Sequence, residues 1–518
     1  MRKAVVVLAA VTSVSTSLPA AAQQDAFSLR GLVVTASPTP RSVESVASHV
    51  TILEGEELRL RGVASLGEVL RDVAGVDVVR SGSFGALTSV FLRGGESDYT
   101  LVLVDGVQVN QPGGGFDFAA LSLDNVERVE VVRGPSSALY GSDAVAGVIH
   151  IVTRDARGPT RARASVETGS YGEPRGHLVD GLRWSADVEG GTGSAGYSVS
   201  LSRDATDGLL GFNNRHESTV LVGNARLLPE AQTRIDLMLR LSDRRYHFPT
   251  DGSGAVSDVN AFNYTDAATA HVRLARRIGD RLEVEARLGL HETDGGLDDA
   301  QDGPADTLGF FESSSLEHFR RASGEVRANL RLRSGVVVTG GGELEDEGQR
   351  TFSESRSEFG PSTGRSDSER LNRAVFLHAT AGGPEVGLNV GGRLEDNERF
   401  GSVGTWQVGL SALVPGSGGA RVRASAGSAI KEPTFYENYA TGFARGNPDL
   451  EPERSGAWEV GLERQLLADA ATVRLTYFSQ RFRDLIQYTF TPPAPTEPNF
   501  FNVAKAAARG LEVDAQLR

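Results

Sequence analysis

No cysteine occurs anywhere in the 518 residues, so no disulfide supports this fold. Long apolar runs are missing too. Hydrophobic residues make up 39% of the chain, and after the first residues no segment nears the about 18 apolar residues of a membrane helix. Transmembrane helices are thereby excluded. Nor is there a basic excess: the net charge of -14 argues against a nucleic-acid partner, which needs basic surface. That charge fits acidic loops or a polar interior equally well.

Catalytic signatures are absent as well. The chain has neither H-E-x-x-H nor G-x-S-x-G, and its scattered histidines, without cysteine, form no tight transition-metal pattern. "GTGSAG" (Gly191 to Gly196) matches a dinucleotide fingerprint but runs into the strand-like "YSVSLS" where a helix is required. "LDDAQDG" imitates part of an EF-hand loop, yet Ala300 takes a ligand position and Gly309 stands where the bidentate Glu belongs. An enzyme reading has no support.

What is present begins with an export signal. Arg2 and Lys3 precede the apolar run Ala4 to Val11, and Ala20-Ala21-Ala22 offers small residues for cleavage before Gln23. Residues 1–22 read as a signal peptide and 23–44 as a periplasmic tail. Within that tail "LVVTA" (Leu32, Val33, Val34, Thr35, Ala36) is a β-prone strip cut off by Pro38 and Pro40. It reads as an exposed, flexible segment.

Residues 45–155 read as a compact α+β domain. "SLGEVLRDVAGVDV" starts with helical spacing and turns at Gly75 into a strand; "TSVFLRG", "TLVLVDGVQV" and "VERVEVVRG" are strand-like. From 161 to 518 the pattern is long period-2 alternation. In "RIDLMLRL", Leu237, Leu239 and Leu241 oppose Asp236, Met238 and Arg240. About sixteen such segments occur, each near the about ten residues of a membrane β-strand. Tight connections such as "RIGDR" alternate with long acidic ones such as "TDGGLDDAQDGPADTLGFFESSS". That alternation is the pattern of outer-membrane barrels, in which closure also removes exposed edges.

"FLRGGESDYTLVLVDGVQVNQPGG" with "LDNVERVEVVRGPSSALYGSDAVAGVIHIVTR" closely resembles the plug of TonB-dependent outer-membrane receptors. "KEPTFYENYATGFARGNPDLEPERSGAWEVGLE" resembles a later stretch of their barrels. The resemblance implies an all-β transmembrane barrel of about 22 antiparallel strands with the N-terminal domain inside its lumen. It implies a monomer in the outer membrane that contacts lipid and imports cobalamin or a ferric siderophore, driven by proton-motive force through TonB. No cofactor is required. "LVVTA" then corresponds to the TonB box, which adds as a strand to the partner's sheet; the alternative is an ordinary tail segment. The box sits too near the mature end for an extra signalling domain. The chain stops at "GLEVDAQLR", so about 80 residues and five or six further strands are expected beyond it.

The turn-rich stretches "RSGSFGAL" and "NQPGGGFDF" are the expected outward apices of the plug. Ser81, Ser83, Phe84, Asn110, Gln111, Phe116 and Asp117 are the candidate ligand contacts. Arg93 and Arg133 each end an apolar plug strand, where a bare guanidinium is costly. Glu459 and Glu512 lie in barrel strands whose flanking apolar residues would face lipid, leaving the carboxylates to the lumen. Family members use such Arg–Glu locks; Glu127 and Glu130 are the alternative partners inside the plug. The acidic residues Asp204, Asp207, Asp243, Asp251 and Asp258 are candidates for loop calcium, or else plain solvated loops. Two further readings are a surface receptor or adhesin for phage or colicins without transport, and a passive porin, which a plug argues against.

Overall fold

The computed structural model describes residues 32–62, 65–155, 158–170, 180–250, 255–332, 335–442, 444–466, 471–494 and 496–517. The signal stretch and Asp251 lie outside the described residues. At the front, β1 (Leu32–Val33) pairs antiparallel with β2 (Arg41–Ser42). Next come β3 (Val50–Glu54), helices α1 (Gly55–Leu60) and α2 (Leu66–Leu70), and the hairpin β4 (Val76–Arg80) and β5 (Thr88–Leu92). Then β6 (Thr100–Val104), β7 (Val107–Gln108), β8 (Val126–Arg133), α3 (Ser137–Tyr140) and β9 (Gly147–Thr153) complete the domain.

The helical spacing works as the sequence implies, since Leu66, Val69 and Leu70 of α2 are all buried. Every residue of β6 is buried, because the strand is covered on both faces in the order β3-β8-β9-β6-β7. β6 turns into β7 through Asp105 (φ 48) and Gly106 (φ 90). Two left-handed residues are what a two-residue hairpin of the I′ type requires. The main core gathers Leu66, Leu70, Val90, Leu92 and Ile149, and Met238, Phe482 and Leu485 reach into it from the surrounding wall.

That wall is one 16-stranded antiparallel sheet. Its strands are β10 (Arg161–Gly169), β11 (Gly181–Gly191), β12 (Ala195–Thr206), β13 (His216–Glu230) and β14 (Thr233–His247). They continue with β15 (Phe262–Ile278), β16 (Leu282–Asp299), β17 (Phe310–Arg331), β18 (Val337–Ser357) and β19 (Gly360–Gly382). β20 (Val386–Asn397), β21 (Gly401–Leu413), β22 (Ala420–Lys431), β23 (Glu453–Leu466), β24 (Ala471–Tyr488) and β25 (Phe500–Leu517) close the order. The sheet curls around the N-terminal domain, and its sides differ as alternation requires: Leu237, Leu239 and Leu241 are exposed outside, while Met238 and Arg240 are buried inside.

Two expectations need correction. The strands are longer than about ten residues, reaching 22 in β17 and 23 in β19. Cross-strand pairing therefore continues beyond the apolar band into stretches that read as loops. The tail is not a free strip either. Val33 and Ala36 pack on Leu101, Leu103 and Val148, and Thr35 is buried between them through hydrogen bonds to the plug.

Candidate functional site

The strip is seated by one carboxylate. Glu130 lies in β8 between Val129 and Val131, fully buried, opposite His150 of β9. The Val34 and Thr35 amides donate to Glu130 Oε2 at 3.0 and 2.9 Å, and the Thr35 hydroxyl donates to the same oxygen at 2.6 Å. With that single proton spent, the hydroxyl can only accept from His150 Nδ1, 2.9 Å away, so the imidazole carries its proton on Nδ1. Burial pushes the His150 imidazole down to about 4. Tyr140 donates its hydroxyl to the Thr35 carbonyl at 2.8 Å. Arg128 bonds Glu130 at 2.8 Å and Glu127 at 3.0 Å, so those two glutamates serve a plug arginine other than the two singled out by sequence.

Arg93 meets both barrel glutamates. Its Nε and Nη2 donate to Glu512 Oε1 and Oε2, each at 2.9 Å, in the fork geometry that guanidinium favours. Its Nη1 donates to Glu459 Oε2 at 2.7 Å, and the guanidinium stacks over Phe478 at 4.6 Å. Alternation explains why the carboxylates point inward: Glu459 is 5% exposed between Trp458 and Val460 at 48% each. Gly75 is required here, since a Cβ on it would stand 2.1 Å from Glu512 Oε1.

Arg133 does not bond either glutamate. Its Nη2 donates to Thr51 Oγ1 at 3.0 Å, while its Nε and Nη1 find no hydrogen-bond partner. Burial lowers it to about 10, with Glu512 pulling the other way. It stands beside the pair as a second positive charge that balances the second carboxylate. Sequence reasoning missed His49, which donates its amide to Glu459 Oε1 and sets Nδ1 against Glu512 Oε2, both at 3.1 Å. Burial lowers the His49 imidazole below its ordinary value.

The apices meet the wall near the long connections. Ser83 accepts from Asn214 Nδ2 at 2.5 Å, Phe84 packs edge-on to His216, and Ser81 is exposed. Gln111 donates to Glu317 Oε1 at 2.9 Å, and Phe116 is half-buried against Phe118. Asp117 accepts the Thr88 amide at 2.9 Å and pairs with Arg244 at 2.5 Å. Asn110 departs from the expectation of an exposed contact. It is fully buried, and its amide braces Val102 N and Thr100 O inside the plug, leaving nothing for a ligand.

The acidic residues do not converge. Asp204 follows the inward parity of Ser198, Ser200 and Ser202, whereas Asp243 shares the outward parity of Leu239 and Leu241. Asp207 and Asp258 stand on separate connections, and Asp258 is spent on the Asn260 and Ala261 amides. Among the described residues, the group with spacing for a cation is Glu292, Asp294 and His318; its Nδ1 already meets Asp294 at 2.8 Å.

A wide antiparallel wall, apolar outside and charged inside, curves around a folded domain tied to it by buried ion pairs. That defines a plugged outer-membrane β-barrel receptor. Family models agree in both parts: the TonB-dependent receptor plug domain matches residues 42–148, and the TonB-dependent receptor-like β-barrel matches residues 162–518. The chain belongs to the TonB-dependent receptor family. The vitamin B12 transporter BtuB of Photobacterium profundum is 27% identical over 495 residues, covering 93% of this chain and 75% of the relative. Its counterpart from Vibrio vulnificus strain YJ016 is 27% identical over 497 residues, with 93% and 75% covered. Among solved structures, a ferric enterobactin receptor from Pseudomonas aeruginosa aligns with a TM-score of 0.73 at 20% identity, covering 90% of this chain and 77% of that one. The ferric citrate transporter FecA aligns at 0.70 and 16% identity, with 91% and 75% covered.

Proposed function

We propose that this receptor imports a scarce metal chelate, cobalamin or a ferric siderophore, across the outer membrane, driven by proton-motive force through TonB. The observation that carries this reading is the strip Leu32–Ala36, a β-prone segment held on the plug by replaceable hydrogen bonds to Glu130. A strand held that way can be exchanged for pairing with a partner's sheet edge. The Arg93–Glu459–Glu512 contact acts as the lock that keeps the plug seated until the strip is pulled. Ser81, Ser83, Phe84, Gln111, Phe116 and Asp117 form the ligand-facing apices. Cobalamin is favoured over a siderophore, because the curated relatives matched over 93% of the chain are named vitamin B12 transporters. The test is binding and uptake of cyanocobalamin and ferric enterobactin by cells carrying the receptor. Saturable binding of one of them, with energy-dependent accumulation, is expected; binding of both without accumulation would support a docking receptor instead.

A further inference from the structure

Two cavities flank the plug on the same side of the barrel. The upper, about 350 Å³, is lined by Phe116, Asp117, Arg244, Thr265 and His291 and lies toward the long connections. The lower, about 360 Å³, is lined by Val34, Pro38, Asp105, His150 and Arg327 and lies toward the tight turns. They share the four strands β14–β17, and the lower one extends further, to β12 and β13 on one side and β18 and β19 on the other. Along β14 the lower cavity touches Met238 and the upper Arg240; along β15 they touch His271 and Thr269; along β16, Gly289 and His291. Two residues of strand, about 7 Å, separate them.

The partition is the tip of the β6–β7 hairpin. Val107 and Gln108 line the lower cavity, and Val104 and Val109 the upper. Val107 presses on the wall where Gly289 has no side chain; a Cβ there would stand 3.3 Å from a Val107 methyl. β7 is a two-residue edge strand, paired with β6 at Leu103–Gln108 and Val104–Val107 and held at its end by the Val109 amide on the Val102 carbonyl and by Gln108 on Asp143. Below it, the lower cavity is bounded by Val34 of the strip itself. Withdrawing the strip would therefore widen the exit as well as transmit force.

We propose that the route through the receptor runs along the wall formed by β14–β17, with β7 as its gate and the strip as its floor. This rests on the importer reading. The mixed charges along the route suit a large polar solute that must slide rather than stick: Arg240 and Arg244 with Asp117 above, Arg273 and Arg327 with Asp236 below.

The natural absence of cysteine makes the test clean. Val107→Cys places a thiol at the gate, and Val145→Cys places one on the far side, where Gln480 bonds the Val145 carbonyl. Cells are treated with a membrane-impermeant maleimide, with and without cyanocobalamin or ferric enterobactin and with and without an uncoupler. The rate of labelling at position 107 is expected to rise at least about tenfold with the imported probe in energised cells, and position 145 to stay protected. Equal rises at both positions would mean that the whole plug leaves, and would overturn the proposal. So would a protected position 107 in cells that accumulate the probe. Failure of the importer reading shows separately, as no uptake of either probe by the unmodified receptor. A second arm needs no ligand: replacing residues 105–108 by Gly-Gly, or Val107→Gly alone, should join the cavities and raise ion conductance in planar bilayers above that of the unmodified receptor. Purified, folded variants that conduct no more than the unmodified receptor would overturn the proposal.

Discussion

Arg93 adopts a left-handed backbone (φ 51), uncommon for a side chain of its size, and its fork spans two barrel carboxylates. Arg93→Ala would leave Glu459 and Glu512 buried with Arg133 as the remaining nearby cation, at a cost of about 3–5 kcal/mol. Urea titration of the plug's unfolding should show that loss; an unchanged midpoint would contradict the lock. Glu459→Arg should go further, loosening the plug and admitting bulky antibiotics, so antibiotic sensitivity equal to that of the parent would also count against it. At the strip, Thr35→Val keeps the shape but removes the hydroxyl shared by Glu130 and His150, costing about 1–3 kcal/mol. Amide exchange at residues 33–36 should accelerate accordingly, and unchanged protection would show that the hydroxyl holds nothing. His150 adds a pH dependence. Its imidazole is depressed from 6.5 to about 4 by burial, so its contribution is present above 6.5 and lost as pH falls through about 4. Glu130 opposes that shift, and Arg128 and Arg287 reinforce it. The strip's amide protection, taken as the ratio of the intrinsic exchange rate at each pH to the observed one, should therefore fall from pH 7 to pH 4, and a flat protection profile would contradict the seating.

At the scale of elements, much of the architecture is legible because membrane strands obey a two-sided rule. Leu511 and Val513 face outward and Glu512 inward for the same reason that the alternation shows in the sequence. The strip's partners are not legible that way. β-propensity says that Leu32–Ala36 wants a strand or an apolar surface, but its carboxylate acceptor lies 95 residues from Thr35. A lone Glu130 inside the apolar run "VEVVRG" was the available signal. Arg93 and Arg133 look alike in sequence, each ending a strand before a glycine, and only the fold decides which fork reaches the wall. Asn110 reads as a turn residue, yet its amide substitutes for missing backbone bonds at the hairpin base. Val34→Pro tests the strip as an element. It removes an N–H bonded to Glu130 and fixes φ, so the strip loses both its seat and its pairing competence. Ligand binding should persist while uptake fails, and normal uptake would overturn the strip's assignment.

Across the whole molecule, a seated strip, a lock and a gated wall form one line of force and one line of passage. His49 links them. It lies beyond the strip and β2, touches both lock carboxylates, and leads directly into β3. Once the strip has left Glu130, tension on the tail would therefore reach the lock before it reaches β3. Passage, on this mechanism, needs energy delivered through the strip. The most direct measurement is accumulation of labelled cyanocobalamin, with ferric enterobactin in parallel, in cells carrying the receptor, before and after collapse of the proton-motive force. One of the two should accumulate, an uncoupler should stop accumulation while surface binding remains, and Val34→Pro should reproduce the uncoupled state. Accumulation that continues undiminished after the uncoupler would contradict this mechanism.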